Sequence, residues 1–289
     1  MILLHNLRAA IIGSLFYGVR AYEKSLRRSA SPVARYFREK RVGLFTNSAQ
    51  AELLAMSSSL YREICRPIVI PGRTSKGKSF YGYACFDRVL SSRLLRRRFD
   101  YLVYVDEDCF LADAEALLGV VKHFVENDYG FCGMPDGGVC RVRRHNPVAI
   151  NPFFSIFNLR QIARVYDRQE VRRTVFDDSL RRFTPTSLLH AAHGVPADPP
   201  PAEQPLAYDD FEPYYRIFFY LLRMGLKPLY LDADTSPLDP TGITTCLMDH
   251  RGRALCHHTW YARHFATDPV QRARIEGVFE SVRAAAAKG

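Results

Sequence analysis

The chain has 289 residues, and its hydrophobic fraction of 47% with a charged fraction of 24% excludes an intrinsically disordered protein. The net charge of +10 predicts an anionic partner, which could be nucleotide phosphate, nucleic acid or an acidic membrane surface. The 7 cysteines are odd in number and include no C-x-x-C pair, which argues against a disulfide framework and a structural zinc site and favours a reducing compartment.

The first predicted element is a basic amphipathic helix within residues 1–30. Apolar residues recur at steps of three and four from Ile2 to Leu26. The uninterrupted apolar part, Ala9 to Val19, is too short to span a bilayer, which takes roughly 20 residues. The helix could lie on an anionic membrane face, or pack on its own domain or on a second subunit. It could also be a signal peptide, although the odd cysteines and the lack of a clear small-residue cleavage site count against that alternative.

A β-α-β unit follows. Val42 to Thr46 is predicted as a strand, Ala49 to Cys65 as a helix and Pro67 to Ile70 as a second strand. This order predicts a parallel sheet with a right-handed crossover. The loop Thr46-Asn47-Ser48 opens the helix at the carboxyl end of the first strand. Its backbone N–H groups could hold an anion or a nucleotide, or Asn47 or Ser48 could simply cap the helix.

A glycine- and lysine-rich loop, Pro71 to Ser79, comes next. Arg73, Lys76 and Lys78 could neutralise a diphosphate, although the spacing is not that of a Walker loop. The alternative is a solvated basic loop. A predicted helix then runs from Ser79 to Arg97.

The central feature of the sequence is an apolar strand that ends in acids. Tyr101 to Val105 is dense in β-branched and aromatic residues, as in a strand buried on both faces, and Asp106, Glu107 and Asp108 follow at once. In extended chain, Asp106 and Asp108 point to the same side. Two hard oxygen ligands at a strand's carboxyl end suit Mg²⁺ or Mn²⁺ carrying a phosphate-bearing ligand, and the alternative is an acidic turn after a core strand.

The second half of the chain is predicted to alternate helices and strands around one long loop at residues 184–208. Asp209 and Asp210 open an apolar helix that runs to about Met224, and either acid could cap it. The other predicted elements are a helix from Ala114 to Asn127, strands at Tyr129 to Gly133 and Lys227 to Leu231, and helices that begin at Leu159 and Asp268.

Three motifs together resemble GT-A-type glycosyltransferases, in pattern the inverting enzymes of family 2. The acids 106–108 match that family's D-x-D motif after a buried strand. Asp209-Asp210-x-Glu212-x-x-x-Arg216, followed by an apolar helix, a glycine and a strand, is similar to its E-D-x-D-L-x-x-R segment. His257 or His258 stands where many such enzymes have a late histidine. The resemblance covers roughly residues 42–264.

The resemblance implies an α/β fold: a single GT-A-like domain over residues 41–266. Its sheet is expected to be Rossmann-like, mixed but mostly parallel, with helices on both faces. Residues 184–208 would form a flexible loop within it, and residues 267–289 a helical tail.

The implied activity is metal-dependent transfer of a sugar from a nucleotide-diphosphate sugar, expected to be a UDP-sugar, to a hydroxyl of a saccharide or glycolipid. We expect an inverting enzyme of surface polysaccharide or glycoconjugate synthesis, with Mn²⁺ or Mg²⁺, in the cytoplasm or on the inner face of the cell membrane. The alternatives are a nucleotidyltransferase acting on a sugar phosphate and a non-catalytic anion- or nucleic-acid-binding protein. No nucleic-acid motif is present in the sequence, so we expect no nucleic-acid partner.

The resemblance also implies roles for individual residues. Asp210 matches the family's catalytic base, with Asp209 and Glu212 as alternatives. The expected metal ligands are Asp106, Asp108 and one or both of His257 and His258. The expected donor contacts are Thr46, Asn47, Arg73, Lys76, Lys78, Asp87 and Asp106. Glu212, Trp260 and Tyr261 are the expected acceptor contacts, since aromatic rings can stack on a sugar as well as pack in a core.

Overall fold

Helices and strands alternate along most of the chain, in a computed structural model that describes residues 2–71, 83–139, 143–185 and 207–287. The α-helices are α1 (Ile2–Arg28), α2 (Pro32–Glu39), α3 (Ala51–Ser59), α4 (Tyr83–Ser91), α5 (Arg93–Arg98), α6 (Ala114–Glu126), α7 (Leu159–Val165), α8 (Arg168–Arg173), α9 (Tyr215–Arg223) and α10 (Pro269–Ala286). The strands are β1 (Val42–Ser48), β2 (Ile68–Pro71), β3 (Tyr101–Asp106), β4 (Cys109–Leu111), β5 (Phe131–Pro135), β6 (Ile150–Asn158), β7 (Pro228–Tyr230), β8 (Ala233–Thr235), β9 (Thr245–Met248) and β10 (Ala254–His258).

A six-stranded sheet of order β2-β1-β3-β6-β5-β7 forms the centre of the fold. Strand β1 is parallel to β2 and β3, and β5 is parallel to β7. Strand β6 runs antiparallel to both β3 and β5, so the other five strands of this sheet share one direction. The prediction of a mixed, mostly parallel α/β sheet is therefore confirmed.

Helices cover both faces of this sheet, because its central strand is apolar on both sides. Residues of β3 three positions apart point to opposite faces. On one face the ring of Tyr101 contacts Phe124 of α6, with centroids 6.2 Å apart. On the other face the ring of Tyr104 contacts Phe86 of α4 at 4.7 Å. Strand β3 is thus fully enclosed until it reaches its acidic end.

A smaller antiparallel sheet of order β4-β10-β9-β8 stands beside the acidic end of β3. It begins only two residues after β3 ends, since β4 starts at Cys109. Phe110 of β4 packs against Phe279 of the C-terminal helix α10, with ring centroids 5.4 Å apart. The sequence patterns did not predict this second sheet, which brings His258 back to the acids.

Two predicted helices have different bounds in the structure. The expected helix from Ser79 to Arg97 is divided into α4 and α5, because Ser92 caps α5 by accepting a hydrogen bond from the Leu95 N–H. The expected helix at Asp209 begins only at Tyr215. Pro213 explains the late start, since the residue before a proline is disfavoured in the helical region.

The second half of α1 packs on the domain. Val19, Tyr22 and Leu26 are buried, and the Tyr22 hydroxyl donates a 2.6 Å hydrogen bond to the carbonyl of Val42 at the start of β1. Tyr22 also meets Phe99 edge to face at 5.7 Å. Among the helices in the described part of the chain, none combines the length and the apolar character needed to cross a bilayer.

We expect Tyr22→Phe to lower the free energy of unfolding by about 1 kcal/mol, because the change removes only the buried hydroxyl that binds the Val42 carbonyl. Urea denaturation would measure the difference. Tyr17→Phe is the matched control on the same helix, since Tyr17 is 73% exposed. Equal losses in the two variants would contradict a role for this hydrogen bond in anchoring α1.

Candidate metal centre

The acidic end of β3 lies beside the end of β1. Asp106 pairs in register with Asn47, so the two side chains reach the same edge of the sheet. The Tyr104 hydroxyl, two residues earlier on β3, donates a 2.6 Å hydrogen bond to Oδ1 of Asp106. This bond fixes the direction of the first carboxylate.

Glu107 points away from its two acidic neighbours and fastens the loop after β1. Its carboxylate accepts hydrogen bonds from the Ser48 hydroxyl at 2.7 Å and from the backbone N–H groups of Ala49 and Gln50, each at 3.0 Å. These N–H groups lead into helix α3, where a negative charge is favourable. The backbone N–H groups that the sequence offered to an anion or a nucleotide therefore include two, those of Ala49 and Gln50, that already bind the protein's own Glu107.

The smaller sheet brings a histidine to the second carboxylate. Cys109 pairs with His258 where β4 meets β10, and the Thr259 N–H donates to the Asp108 carbonyl at 3.0 Å. Nε2 of His258 then lies 3.2 Å from Oδ1 of Asp108. The ring is held flat against Phe153 of β6, with centroids 4.3 Å apart and planes 7° apart.

Asp106, Asp108 and His258 form a group that could hold a metal ion. One ligand atom from each residue lies within 4.8 Å of the others. Two carboxylate oxygens and one imidazole nitrogen suit a divalent cation such as Mn²⁺ or Mg²⁺. Burial raises the pKa of Asp106 to about 7, with the neighbouring charge of Asp108 as the next cause. A bound cation would supply the positive charge that these two acids lack.

A cleft of about 930 Å³ opens directly over this group, a volume typical of small-molecule sites. Arg143 and Glu212 also line this cleft, with their side chains 3.0 Å apart. Arg143 is also paired with the fully buried Asp136 through two hydrogen bonds of 2.7 and 2.5 Å. The predicted site residues that line the cleft are Asn47, Asp106, Asp108, Glu212, His258, Trp260 and Tyr261.

The two adjacent histidines, His257 and His258, point in different directions. His257 alternates with His258 along β10, and its Nδ1 lies 2.9 Å from the Ser236 hydroxyl, away from the acids. Burial lowers the pKa of His257 to about 4, which is typical of a neutral histidine in a core. The expectation that His257 joins the metal ligands is therefore corrected: His258 alone reaches Asp108.

The expected catalytic base is also displaced. Asp210 is exposed, does not line the cleft and accepts a 3.0 Å hydrogen bond from the Phe176 N–H. Asp209 lies 3.1 Å from Nδ1 of His145, likewise outside the residues that line the cleft. Since the helix starts after Pro213, the segment before it is not helical, and only Glu212 of the three acids faces the cleft.

Other expected donor contacts lie elsewhere. Asp87 is buried in an ion pair with Arg168, and it also accepts a hydrogen bond from the Tyr166 hydroxyl, so it joins α4 to the α7–α8 region. Thr46 is buried within β1 and does not line the cleft. Arg73, Lys76 and Lys78 lie outside the described residues, as does most of the predicted loop 184–208.

Arg143, Asp136 and Tyr104 contribute to the site without having been assigned a role from sequence. The turn Pro135-Asp-Gly-Gly138 and the arginines beside it are visible in the sequence as a turn and a basic cluster. Arg143 pairs with Glu212, which lies 69 positions further along the chain, and no local sequence pattern indicates a contact over that distance.

Comparisons with known proteins assign the chain to no family. No family model matches it, and no curated protein matches it. Among solved structures it is similar to the crystal structure of A197 from STIV, with 14% sequence identity and a TM-score of 0.33, over 45% of this chain and 70% of that one. A likeness this weak says nothing about function, which leaves the geometry of the site as the guide.

We expect Mn²⁺ to raise the melting temperature of the unaltered protein and His258→Gln to abolish that rise, because the change removes the nitrogen atom of the group. His257→Gln is the matched control, as both side chains are buried on one strand. Thermal denaturation with increasing Mn²⁺ measures both. Loss of the Mn²⁺ response in both variants, or in neither, would contradict the assignment.

The free energy of unfolding should depend on pH through Asp106. Without metal, the folded protein holds a proton on Asp106 between its ordinary pKa of 3.8 and about 7, whereas the unfolded chain does not. The free energy of unfolding contributed by this group is therefore fully present below the lower value and falls as pH rises through the window. Asp106→Asn should flatten that fall. Urea denaturation at about pH 5 and about pH 8 measures it, and an unchanged pH slope in the variant would contradict the prediction.

Proposed function

We propose that this protein is a metal-dependent glycosyltransferase that moves a sugar from a nucleotide-diphosphate sugar to a hydroxyl of a saccharide or glycolipid. The observation that carries the proposal is the group Asp106, Asp108 and His258 near the carboxyl end of β3, which lines the same cleft as the carboxylate of Glu212. Sugar transfer needs one group that stabilises the leaving diphosphate and another that accepts the proton of the acceptor hydroxyl. The mixed sheet with a crevice beyond its strand ends also agrees with the GT-A fold.

The group Asp106, Asp108 and His258 would stabilise the leaving diphosphate through a bound cation. Mn²⁺ or Mg²⁺ bound here would neutralise the negative charge that develops on the diphosphate as the sugar leaves. Asp106 and Asp108 would hold the ion with oxygen, and His258 with nitrogen. The Tyr104 hydroxyl orients the Asp106 carboxylate, and the Phe153 ring orients the His258 ring. Both side chains would therefore need little reorganisation to bind the ion.

Glu212 would act on the acceptor. Glu212 takes the proton of the attacking hydroxyl as the new bond forms between the hydroxyl oxygen and the anomeric carbon. The bond from that carbon to the diphosphate oxygen breaks, and its electron pair leaves with the diphosphate. Attack from the side opposite the leaving group would invert the anomeric centre.

Arg143 keeps the Glu212 carboxylate in place. Its side chain is 16% exposed, and its guanidinium bridges Asp136, whose side chain is fully buried, to Glu212. Asp136 is in turn held by the amide of Asn151 at 2.6 Å and by the hydroxyl groups of two tyrosines. An arginine anchored by this buried network gives Glu212 a fixed partner at the cleft wall, and a proton acceptor needs such a fixed position.

We expect Glu212→Gln to lower the rate of sugar transfer about 10²–10⁴-fold, because the amide cannot accept the proton. Metal-dependent binding of the donor should be kept, since Glu212 is not among the metal-binding residues. The measurement is release of nucleoside diphosphate from a panel of nucleotide sugars with oligosaccharide acceptors and Mn²⁺. The donors are first screened by thermal shift with and without the metal.

Asp210→Asn is the matched control, two residues away and outside the cleft, and should keep its rate. Asp108→Asn should lose both the metal-dependent donor shift and the transfer. Pyrophosphate release from a nucleoside triphosphate would instead favour a nucleotidyltransferase. If no nucleotide shifts the melting temperature with Mn²⁺, the proposed function is wrong.

A further inference from the structure

Two consecutive aromatic residues beside the metal group have strained backbones. Trp260 has φ 57° and Tyr261 has φ 61°, in the left-handed region that bulky side chains rarely enter. Such a residue lowers the stability of the fold and persists only where its surroundings hold it. The turn itself does not call for aromatic residues, since glycine or asparagine would enter this region at lower cost.

A buried arginine on the C-terminal helix holds the strained turn. Nη2 of Arg274 donates to the carbonyls of Thr259 and Trp260, at 2.6 and 3.1 Å. Its Nη1 donates to Oδ2 of Asp239 at 2.9 Å and lies 3.0 Å from the Thr244 hydroxyl oxygen. The Arg274 side chain is only 6% exposed and that of Asp239 is fully buried.

The partners of Arg274 are fixed as well. Burial alone would raise the pKa of Asp239, but hydrogen bonds from the side chains and N–H groups of Thr241 and Thr244 hold it well below its usual range. Asp239 therefore stays charged opposite Arg274. The indole N–H of Trp260 donates to the Thr245 hydroxyl at 2.8 Å, which fixes the ring as well as the backbone.

The held turn presents apolar ring surface to the cleft. Trp260 is half-buried and Tyr261 is 41% exposed, and both line the cleft over the metal group. The Trp260 ring meets the His258 ring at 4.2 Å, next to the proposed ion. Because the indole N–H of Trp260 already binds the Thr245 hydroxyl, the part of the ring left for a ligand is apolar. An apolar aromatic surface suits the C–H face of a sugar ring.

We propose that Trp260 and Tyr261 form a stacking platform for the acceptor saccharide, and that Arg274 is the positioning residue that holds this platform in place. The inference rests on the proposed function and names its acceptor class. Glu212 lines the same cleft, so a saccharide on the platform shares the cleft with the group that would take its proton. A nucleobase would be the other ring able to stack here, and the experiment separates the two.

Trp260 is the only tryptophan of the chain, so intrinsic tryptophan fluorescence reports on this turn alone. The full-length protein with Mn²⁺ is screened against soluble oligosaccharides such as maltotriose, cellotriose and chitotriose, and we expect at least one to change the emission. UDP alone, whose diphosphate would bind at the neighbouring ion and not on the rings, should change the emission less than the saccharide does. In Arg274→Gln the emission should shift to longer wavelength, because the turn is less firmly held. The affinity for the saccharide should fall about tenfold, as expected when an interaction common to the ground state and the transition state is lost.

Kinetics and controls separate positioning from general stability. Arg274→Gln should raise the acceptor KM about tenfold with the donor KM unchanged, and Arg274→Lys should restore part of the loss. Arg272→Gln, on the same helix, removes exposed ion pairs to Glu52 and Glu276 and should change neither constant.

Tyr261→Asn answers the question if the Arg274 variants do not fold. Asparagine tolerates the left-handed region, so this variant should be at least as stable as the unaltered protein, yet bind the saccharide more weakly. A response to UDP alone as large as that to any saccharide, no saccharide response at all, or an unchanged acceptor KM in Arg274→Gln and Tyr261→Asn would overturn the inference. A saccharide response without sugar transfer would leave the platform standing while the proposed function fails.

Discussion

Two carboxylates that repel each other, those of Asp106 and Asp108, are held together at the end of the central strand. The cost is visible in the raised pKa of Asp106, which burial and the charge of Asp108 produce together. The surroundings lower this cost only in part, through the Tyr104 hydroxyl and the His258 ring. Nearly every other feature of the site is arranged around this pair. The larger sheet delivers it, the smaller sheet brings its nitrogen partner, and Glu107 fixes the loop beside it.

The parts of the site that the sequence predicts well are those with local causes. The buried strand and its acids lie within eight residues, and the apolar run alone places Asp106 and Asp108 at a strand's carboxyl end. The β-α-β unit before them is equally local. Strand β6 was not predicted, partly because it contains Pro152. The structure tolerates this proline because β3 pairs with β6 only from Phe154 onwards, and the pairing with β5 is irregular at that point.

The errors in the predicted site come from choices between adjacent residues. His257 and His258 have the same chemistry, and only the register of β10 against β4 decides which one faces Asp108. Asp209, Asp210 and Glu212 are separated by where the helix starts, and Pro213 is the signal that could have placed that start. Arg143 and Arg274 act through contacts between distant segments, so the sequence around them gives no indication of their partners.

The order of the strands along the chain has a consequence for the newly made protein. All six strands of the larger sheet are complete at Tyr230, whereas His258 comes at the end of β10 and Arg274 later still. A nascent chain can therefore assemble its central sheet, with the two acids in place, well before the metal group has its third member. The group of two acids and one histidine is thus completed only in the last part of synthesis, after the sheet that carries the acids.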